Sequence, residues 1–410
     1  MMSKKGLYKR KVLKHLYFAD MLSCAELSVA IEKSLPVTTR LLNDLIKEGY
    51  VLESGQAPST GGRRAAMYCI KKDVFYIVSV AADQFTTRIA VLNMQNKQVQ
   101  PVVKMTLPLA DNAQALFLLT EKIEAAIAAS GINRQYIIGV GVGMPGFVDA
   151  VLGVNYTFLA TAPETVKEYI SRQLQLPVFI DNDSRLIALA ELRFGVAREQ
   201  QHAMVINIGW GIGLGMIVNG KLFRGHNGFA GELSHIPLFM NGRLCSCGKT
   251  GCLETETSLQ IVIAKAYKGI EAGKQTVLTR WLQQQQLEPD ADAIMNAAAG
   301  GDRFAVELLS EAGYNIGRGV AVLIHLMNPE TIILSGRGSA AGKIWQAPIQ
   351  QALNEHCIPR MSAHTNIVVS NLGHEAALTG AAALVMENYD SILLDDTYMR
   401  SNKYIALTAN

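Results

Sequence analysis

His235 and the run Cys245-Ser246-Cys247-Gly248-Lys249-Thr250-Gly251-Cys252 restrict this chain more than anything else in it. Three thiolates and one imidazole fill the tetrahedral coordination of Zn²⁺ and leave no open position, which makes such a site structural. It would pin a long excursion of the chain to the body. Gly248 and Gly251 permit the tight backbone that this spacing needs. On residues alone, the competing reading is three buried thiols beside a surface histidine. Cys24, Cys69 and Cys357 have no such company and read as ordinary buried thiols. Thiols crowded this closely favour metal over disulfides and place the chain in a reducing, cytoplasmic setting.

Hydrophobic residues make up 49% of the 410 and charged residues 18%, which excludes a disordered chain. The longest apolar stretches, 136–148 and 203–218, are short, glycine-rich or interrupted by Asn207, so no membrane insertion is expected. The basic start lacks an apolar h-region, and no secretory leader is expected either. The net charge of +3 conceals an asymmetry. Residues 1–72 carry 13 Lys/Arg against 6 Asp/Glu, while the remainder carries 25 against 29. A basic module on a mildly acidic body is the footprint of nucleic-acid binding, with a solubilising extension as the alternative.

Pattern decides between these. Leu7, Leu13, Leu16 and Tyr17 predict a helix over 3–20. Ser23 and Glu26 form a capping box for a second helix, burying Leu27, Ala30 and Ile31. Ser34 caps a third, with Pro36 in its first turn, a buried stripe of Leu41, Leu42, Leu45 and Ile46, and Gly49 as its stop. Strands at 50–53 and 67–70 follow, joined by a loop carrying Gly61-Gly62-Arg63-Arg64. This is the order of a winged helix-turn-helix over 1–72, whose third helix enters the major groove. Val37, Thr38, Thr39, Arg40 and Asn43 are the expected base-reading residues. Arg63 and Arg64 suit a narrow A·T-rich minor groove.

Beyond residue 73 the chain reads as α/β. Strands at 74–82, 86–94 and 98–107 precede a helix at 112–130, strands at 136–142 and 178–181, and a helix at 184–194. The sequence then restarts with strands at 204–208, 214–218 and 221–223. Helices at 258–268, 302–327 and 343–356, strands at 331–334 and 367–370, and a helix at 376–387 complete it. A strand triplet followed by alternating helix and strand thus occurs twice, implying two lobes with a ligand cleft between them. The lobes divide at 73–182 and 183–375, with the last helix, 376–388, returning to the first.

Between these elements lie glycines at 209, 211, 213 and 215, and Phe229-Ala230-Gly231-Glu232-Leu233-Ser234-His235. Val178-Phe179-Ile180-Asp181-Asn182-Asp183 ends a strand in polar groups and opens a helix that Asp183 could cap. Asn182, Asp183, Glu232, His235 and Glu254 together form a donor and acceptor set that fits a polyol such as a sugar.

Segment 209–215, Ala230-Gly231-Glu232-x-x-His235, the box from Cys245 to Glu254, Gly143-Met144-Pro145-Gly146-Phe147-Val148-Asp149 and Asp181-Asn182-Asp183 resemble those of the ROK family of repressors, open reading frames and sugar kinases. The likeness spans about 74–388. It implies an actin/hexokinase-like (ribonuclease H-like) fold, zinc on His235, Cys245, Cys247 and Cys252, and sugar contacts from Asn182, Asp183, Glu232, His235 and Glu254. In the kinases the residue matching Asp183 is the base that deprotonates the sugar hydroxyl.

ROK kinases carry Asp-x-Gly-Gly-Thr between their first two strands, where glycine amides hold ATP phosphates. Here Val80-Ala81-Ala82-Asp83-Gln84-Phe85-Thr86-Thr87 has no glycine. Trp210 stands where a hydroxyl residue is usual, and Arg337 where small residues are usual. A base without a phosphate donor transfers nothing, so no ATP and no catalysis are expected. The reading is a sugar-responsive repressor of carbohydrate uptake and catabolism genes, a homodimer or homotetramer with operator DNA and a sugar or sugar phosphate as partners. The alternative is a ROK sugar kinase acting on a hexose or N-acetylhexosamine. A third reading is a scaffold sequestered by a sugar-transport component.

Overall fold

The computed structural model describes residues 4–56, 64–159, 163–280 and 291–390. These described residues fall into two compact units, one up to residue 182 with those from 381 on and the other from 183 to 380.

The first unit opens with α1 (Lys4–Ala19), β1 (Leu22–Ser23), α2 (Cys24–Ala30), α3 (Leu35–Lys47), β2 (Val51–Gln56) and β3 (Ala66–Ile70). The strands form an antiparallel sheet of order β1-β3-β2. The capping box is present: the Glu26 amide donates to Ser23 Oγ at 3.2 Å, and the Ser23 amide donates to Glu26 Oε2 at 2.7 Å. Ser34, in contrast, makes no side-chain cap; its carbonyl instead accepts the Thr38 hydroxyl at 3.1 Å.

Burial corrects three of the expectations for this module. Ala30 and Ile46 are exposed and Thr38 is fully buried. Thr38 lies three, four and seven residues before Leu41, Leu42 and Leu45, so helical geometry puts it on the same inward stripe. Cys24 and Cys69 are only half-buried, whereas Cys357 is buried.

The rest of this unit is built on β4 (Tyr76–Ala82), β5 (Thr86–Asn93), β6 (Val103–Thr106), β7 (Ile137–Met144) and β10 (Val178–Asn182) in the order β10-β7-β4-β5-β6. β4 and β7 are buried along their whole length, as their continuous apolar sequences require. α4 (Ala115–Ala129) packs on this sheet. Two features escaped the sequence reading: α5 (Val166–Leu174), with its own Thr165/Glu168 capping box, and the small hairpin of β8 (Val148–Asp149) and β9 (Val154–Asn155).

The second unit repeats the pattern. α6 (Asp183–Phe194) leads into β11 (Ala203–Ile208), β12 (Ile212–Val218) and β13 (Lys221–Phe223). α7 (Glu254–Thr257), α8 (Leu259–Glu271) and further helices at Ala291–Ala299 and Arg303–Met327 precede β14 (Thr331–Ser335). The expected helix at 343–356 is a 3-10 stretch, Arg337–Trp345, running into an α-helix, Gln346–His356. β15 (Asn366–Val369) closes a sheet of order β13-β12-β11-β14-β15.

In each sheet the first strand has an antiparallel neighbour on one side and a parallel one on the other, and the next strand outward repeats the relation. The duplication read from the pattern of strands and helices therefore holds in topology.

The last helix among the described residues, Ala376–Glu387, is divided between the units after Gly380. A Cβ on Gly141 of β7 would lie 1.9 Å from the Ala381 carbonyl oxygen, so only glycine lets the helix lie this close to the strand. The end of this helix is clamped by α1. The buried Arg10 guanidinium sits 5.2 Å from the Tyr389 ring centroid and donates to the Tyr389 carbonyl at 3.3 Å. Lys14 reaches the Glu387 carbonyl and, at 3.3 Å, the Asp390 carboxylate. Phe75 completes the joint, stacked on Tyr50 and 6.3 Å from Tyr389.

Candidate functional site

β10 ends in Asn182, whose side-chain amide donates to the Gly146 carbonyl at 3.2 Å. Asp183 begins α6, and its Oδ1 accepts the Ser184 amide at 2.8 Å. Its Oδ2 lies 3.3 Å from Asn207 Nδ2, which also donates to Ser184 Oγ at 3.0 Å. Asn207, Ser184 and the buried Arg185, which donates to the Gly228 carbonyl, all escaped the sequence reading. Asn207 had registered only as an interruption of an apolar run. A polar residue closing a buried strand just before a glycine turn was the available signal.

The alternate glycines divide by role. A Cβ on Gly213 would lie 1.9 Å from Ser184 Oγ, and one on Gly215 would lie 2.2 Å from Ala188 Cβ. These two let α6 press onto β12 and so aim Asp183. A Cβ on Gly211 would instead meet Glu254 Oε2 at 3.3 Å, which puts the turn beside the acidic end of the cysteine box.

His235 ends a short 3-10 turn, Leu233–His235, and its two ring nitrogens face different partners. Nδ1 is 3.5 Å from Cys245 Sγ and 3.6 Å from Glu254 Oε1. Nε2 is 3.8 Å from Glu232 Oε2. One ring can therefore serve the cysteine cluster on one edge and a ligand beside Glu232 on the other. Burial raises the Glu232 carboxyl above the usual carboxylate range, offset by His235 and Arg185; Glu254 and Asp183 add to the rise. Asp183, His235 and Glu254 thus all act electrostatically on Glu232 within the second unit.

The donor atoms of His235, Cys245, Cys247 and Cys252 lie within 4.8 Å of one another. A tetrahedral ion with metal–sulfur bonds near 2.3 Å and a metal–nitrogen bond near 2.0 Å holds its donors about 3.5–3.8 Å apart. The 3.5 Å from Nδ1 to Cys245 Sγ and the 3.6 Å between Cys247 and Cys252 fit that requirement, and the latter is far beyond a disulfide. Burial pushes the Cys245 and Cys252 thiols up, and the Lys249 amide draws Cys247 down. A Cβ on Gly251, at φ +75°, would lie 2.0 Å from the Phe239 carbonyl oxygen, so the knuckle admits no other residue there.

The turns compared above with phosphate loops make contacts within the protein. Asp83 Oδ1 accepts the Phe85 and Thr86 amides at 2.8 and 2.7 Å, closing the β4–β5 turn on its own carboxylate. Arg337 lies 5.0 Å from the Trp210 ring centroid and grips Asp292 through two hydrogen bonds of 2.9 and 2.8 Å.

On α3, Val37, Thr39, Arg40 and Asn43 are exposed, and Thr38 is not available to DNA. Arg64 is exposed, whereas Arg63 lies outside the described residues. Among the described residues no helix is long and apolar enough to cross a membrane.

The profile of the ROK family matches residues 84–388. The chain belongs to the ROK family. This ROK chain is 28% identical over 391 residues to the xylose repressor of Caldicellulosiruptor bescii, a match covering 94% of the chain and 96% of the repressor. It is also similar to the crystal structure of a ROK family transcriptional regulator, a homologue of the E. coli MLC protein. There the TM-score is 0.75 and the identity 26%, over 96% of this chain and 99% of that one. A ROK family glucokinase from Streptomyces griseus, solved with glucose and AMPPNP, matches at TM-score 0.65 and 26% identity. It covers 75% of this chain and 98% of its own. The kinase leaves a quarter of the chain unmatched, and the regulator almost none.

Proposed function

We propose that this ROK protein is a sugar-responsive transcriptional regulator, a repressor of carbohydrate uptake or catabolism genes. The observation that carries the reading is the likeness, over 94–96% of the chain, to a xylose repressor and a ROK family transcriptional regulator, where the glucokinase matches only 75% of it. Three helices and a three-stranded sheet support a winged helix-turn-helix over 1–72, with α3 in the major groove and the exposed Arg64 between β2 and β3 in the sequence. The effector is a sugar or sugar phosphate held by Asp183, Glu232, His235 and Glu254, with Asn182 next to Asp183 in the chain. Zn²⁺ on His235, Cys245, Cys247 and Cys252 fixes the knuckle and, through His235 and Glu254, the ligand-facing groups. The assembly is a homodimer or homotetramer, matching the two-fold symmetry of operators.

The runner-up, a ROK sugar kinase, draws support from Asp183 at the base-equivalent position. Against it stand the β4–β5 turn, which has no glycine and closes on Asp83, and the Trp210–Arg337–Asp292 contacts at the glycine-rich turn. A thermal-shift screen of sugars and sugar phosphates, with and without ATP, separates the two. The regulator is stabilised by one sugar and not by ATP. Gel retardation of its own upstream DNA then shows whether that sugar changes the bound fraction. Sugar-dependent ATP turnover, or no retardation at low salt, sinks the proposal.

A further inference from the structure

The exposed face of α3 carries few groups that can read a base. Thr38 is buried, and the Thr39 hydroxyl is committed to the Leu35 carbonyl at 2.9 Å, with Cys24 Sγ at 3.4 Å. Arg40 and Asn43 are exposed, and among the described residues neither has a hydrogen bond, ion pair or ring contact. That freedom needs explaining, because Asp44 lies four residues after Arg40, the spacing at which an arginine and a carboxylate ordinarily pair along a helix. Here α1 takes the carboxylates away. Lys5 holds Asp44 at 2.7 Å, and Lys9 pairs with Glu48. The two lysines pair with Asp44 of α3 and with Glu48 at its C-cap and leave its outer face cationic, with Lys47 on the same stripe as Arg40 and Asn43.

We propose that Arg40 and Asn43 form a two-base reading head for a guanine and an adenine in neighbouring base pairs of the major groove. The inference rests on the DNA-binding reading above and deepens it. A guanidinium matches the paired acceptors N7 and O6 of guanine, and a carboxamide matches the acceptor and donor of adenine N7 and N6. Three residues of helix advance about 4.5 Å, against about 3.4 Å per base step, so the two side chains meet adjacent pairs. The exposed Val37 beside them fits a thymine methyl group. Lys47, one turn beyond Asn43, takes a phosphate and reads no base.

The test is selection by the full-length chain from a randomised duplex library, followed by retention assays on the selected duplex and its single-base variants. The wild type should select a G·C pair next to an A·T pair. Arg40→Ala should erase the preference at the first and Asn43→Ala at the second, each by roughly 5- to 150-fold, while Lys47→Ala weakens all duplexes alike. Both reading residues are exposed, so an unchanged thermal midpoint shows that the variants fold. If Arg40→Ala weakens every duplex equally and keeps the guanine preference, the inference is overturned. Wild-type binding without base preference also overturns it, yet leaves DNA binding standing. No retention of any duplex by the wild type overturns both.

Discussion

At the scale of single residues, His235 shows how much of the site could be read in advance. The sequence assigns it to both a metal set and a sugar set, and its ring has Nδ1 beside Cys245 and Nε2 beside Glu232, the arrangement that the proposed double role requires. Cys247→Ser should therefore lose the metal, measured by elemental analysis, and weaken sugar binding by about 10-fold or more, since ligand shells that orient a metal site carry effects of that size. Unchanged sugar titration in a metal-free protein would separate the two edges of the ring. Asn207, Ser184 and Arg185 were not legible as site residues. Asn207 and Ser184 meet only because β11 and α6 do, and Arg185 reaches the distant Gly228 carbonyl; beyond the polar end of a buried strand at Asn207, nothing local announces these contacts. Thr38 departs for the opposite reason: it is expected among the base-reading residues, although its spacing to Leu41 and Leu45 already places it inside.

At the scale of elements, even local signals are read unevenly, since the cap expected at Ser34 does not form. The Ser23/Glu26 box lies within four residues, and it formed. Ser23→Ala should cost about 1 kcal/mol in thermal unfolding at neutral pH. The Ser23 amide and hydroxyl hold the Glu26 carboxyl below the usual range, so its share of the stabilisation is present above that range. It is lost as pH falls through the lowered value. The penalty of Ser23→Ala should accordingly be smaller in acid, and a pH-independent penalty would refute the assignment.

The equivalent Thr165/Glu168 box was equally local and was overlooked, whereas the exposure of Ala30 and Ile46 depends on how far α1 covers its neighbours. Packing of α6 on β12 gives a second prediction. Gly213→Ala drives a methyl group into Ser184 and should destabilise by about 1–3 kcal/mol. It should also loosen sugar binding more than a surface substitution of equal cost, because Asp183 moves with α6.

For the whole molecule, the duplicated sheet order is the feature that pattern alone anticipated, since strand triplets followed by crossovers leave few topologies. The net charge was less informative than its distribution, and the structure divides it further. Of the cations in residues 1–72, Lys5, Lys9, Arg10 and Lys14 are engaged within the protein. They should not count among the phosphate contacts. The slope of log affinity against log salt changes by about 0.9 per phosphate contact. Lys47→Gln should reduce it by that amount and Lys14→Gln should leave it unchanged; a reduced slope for Lys14→Gln would place α1 against the DNA backbone.

The clamp between α1 and the end of the last helix bears on how this protein can be dissected. A fragment stopped at residue 72 would carry α1 without Phe75 and without the segment from Glu387 to Asp390. Arg10 would lose its aromatic platform and its carbonyl, Lys14 its acceptors, and Tyr50 its stacked ring. Such a fragment would expose an apolar, cationic surface that the complete chain keeps covered. DNA affinities taken from it would mix sequence reading with adhesion through that surface. A usable minimal reader has to include the first-unit sheet and the terminal helix that closes over it.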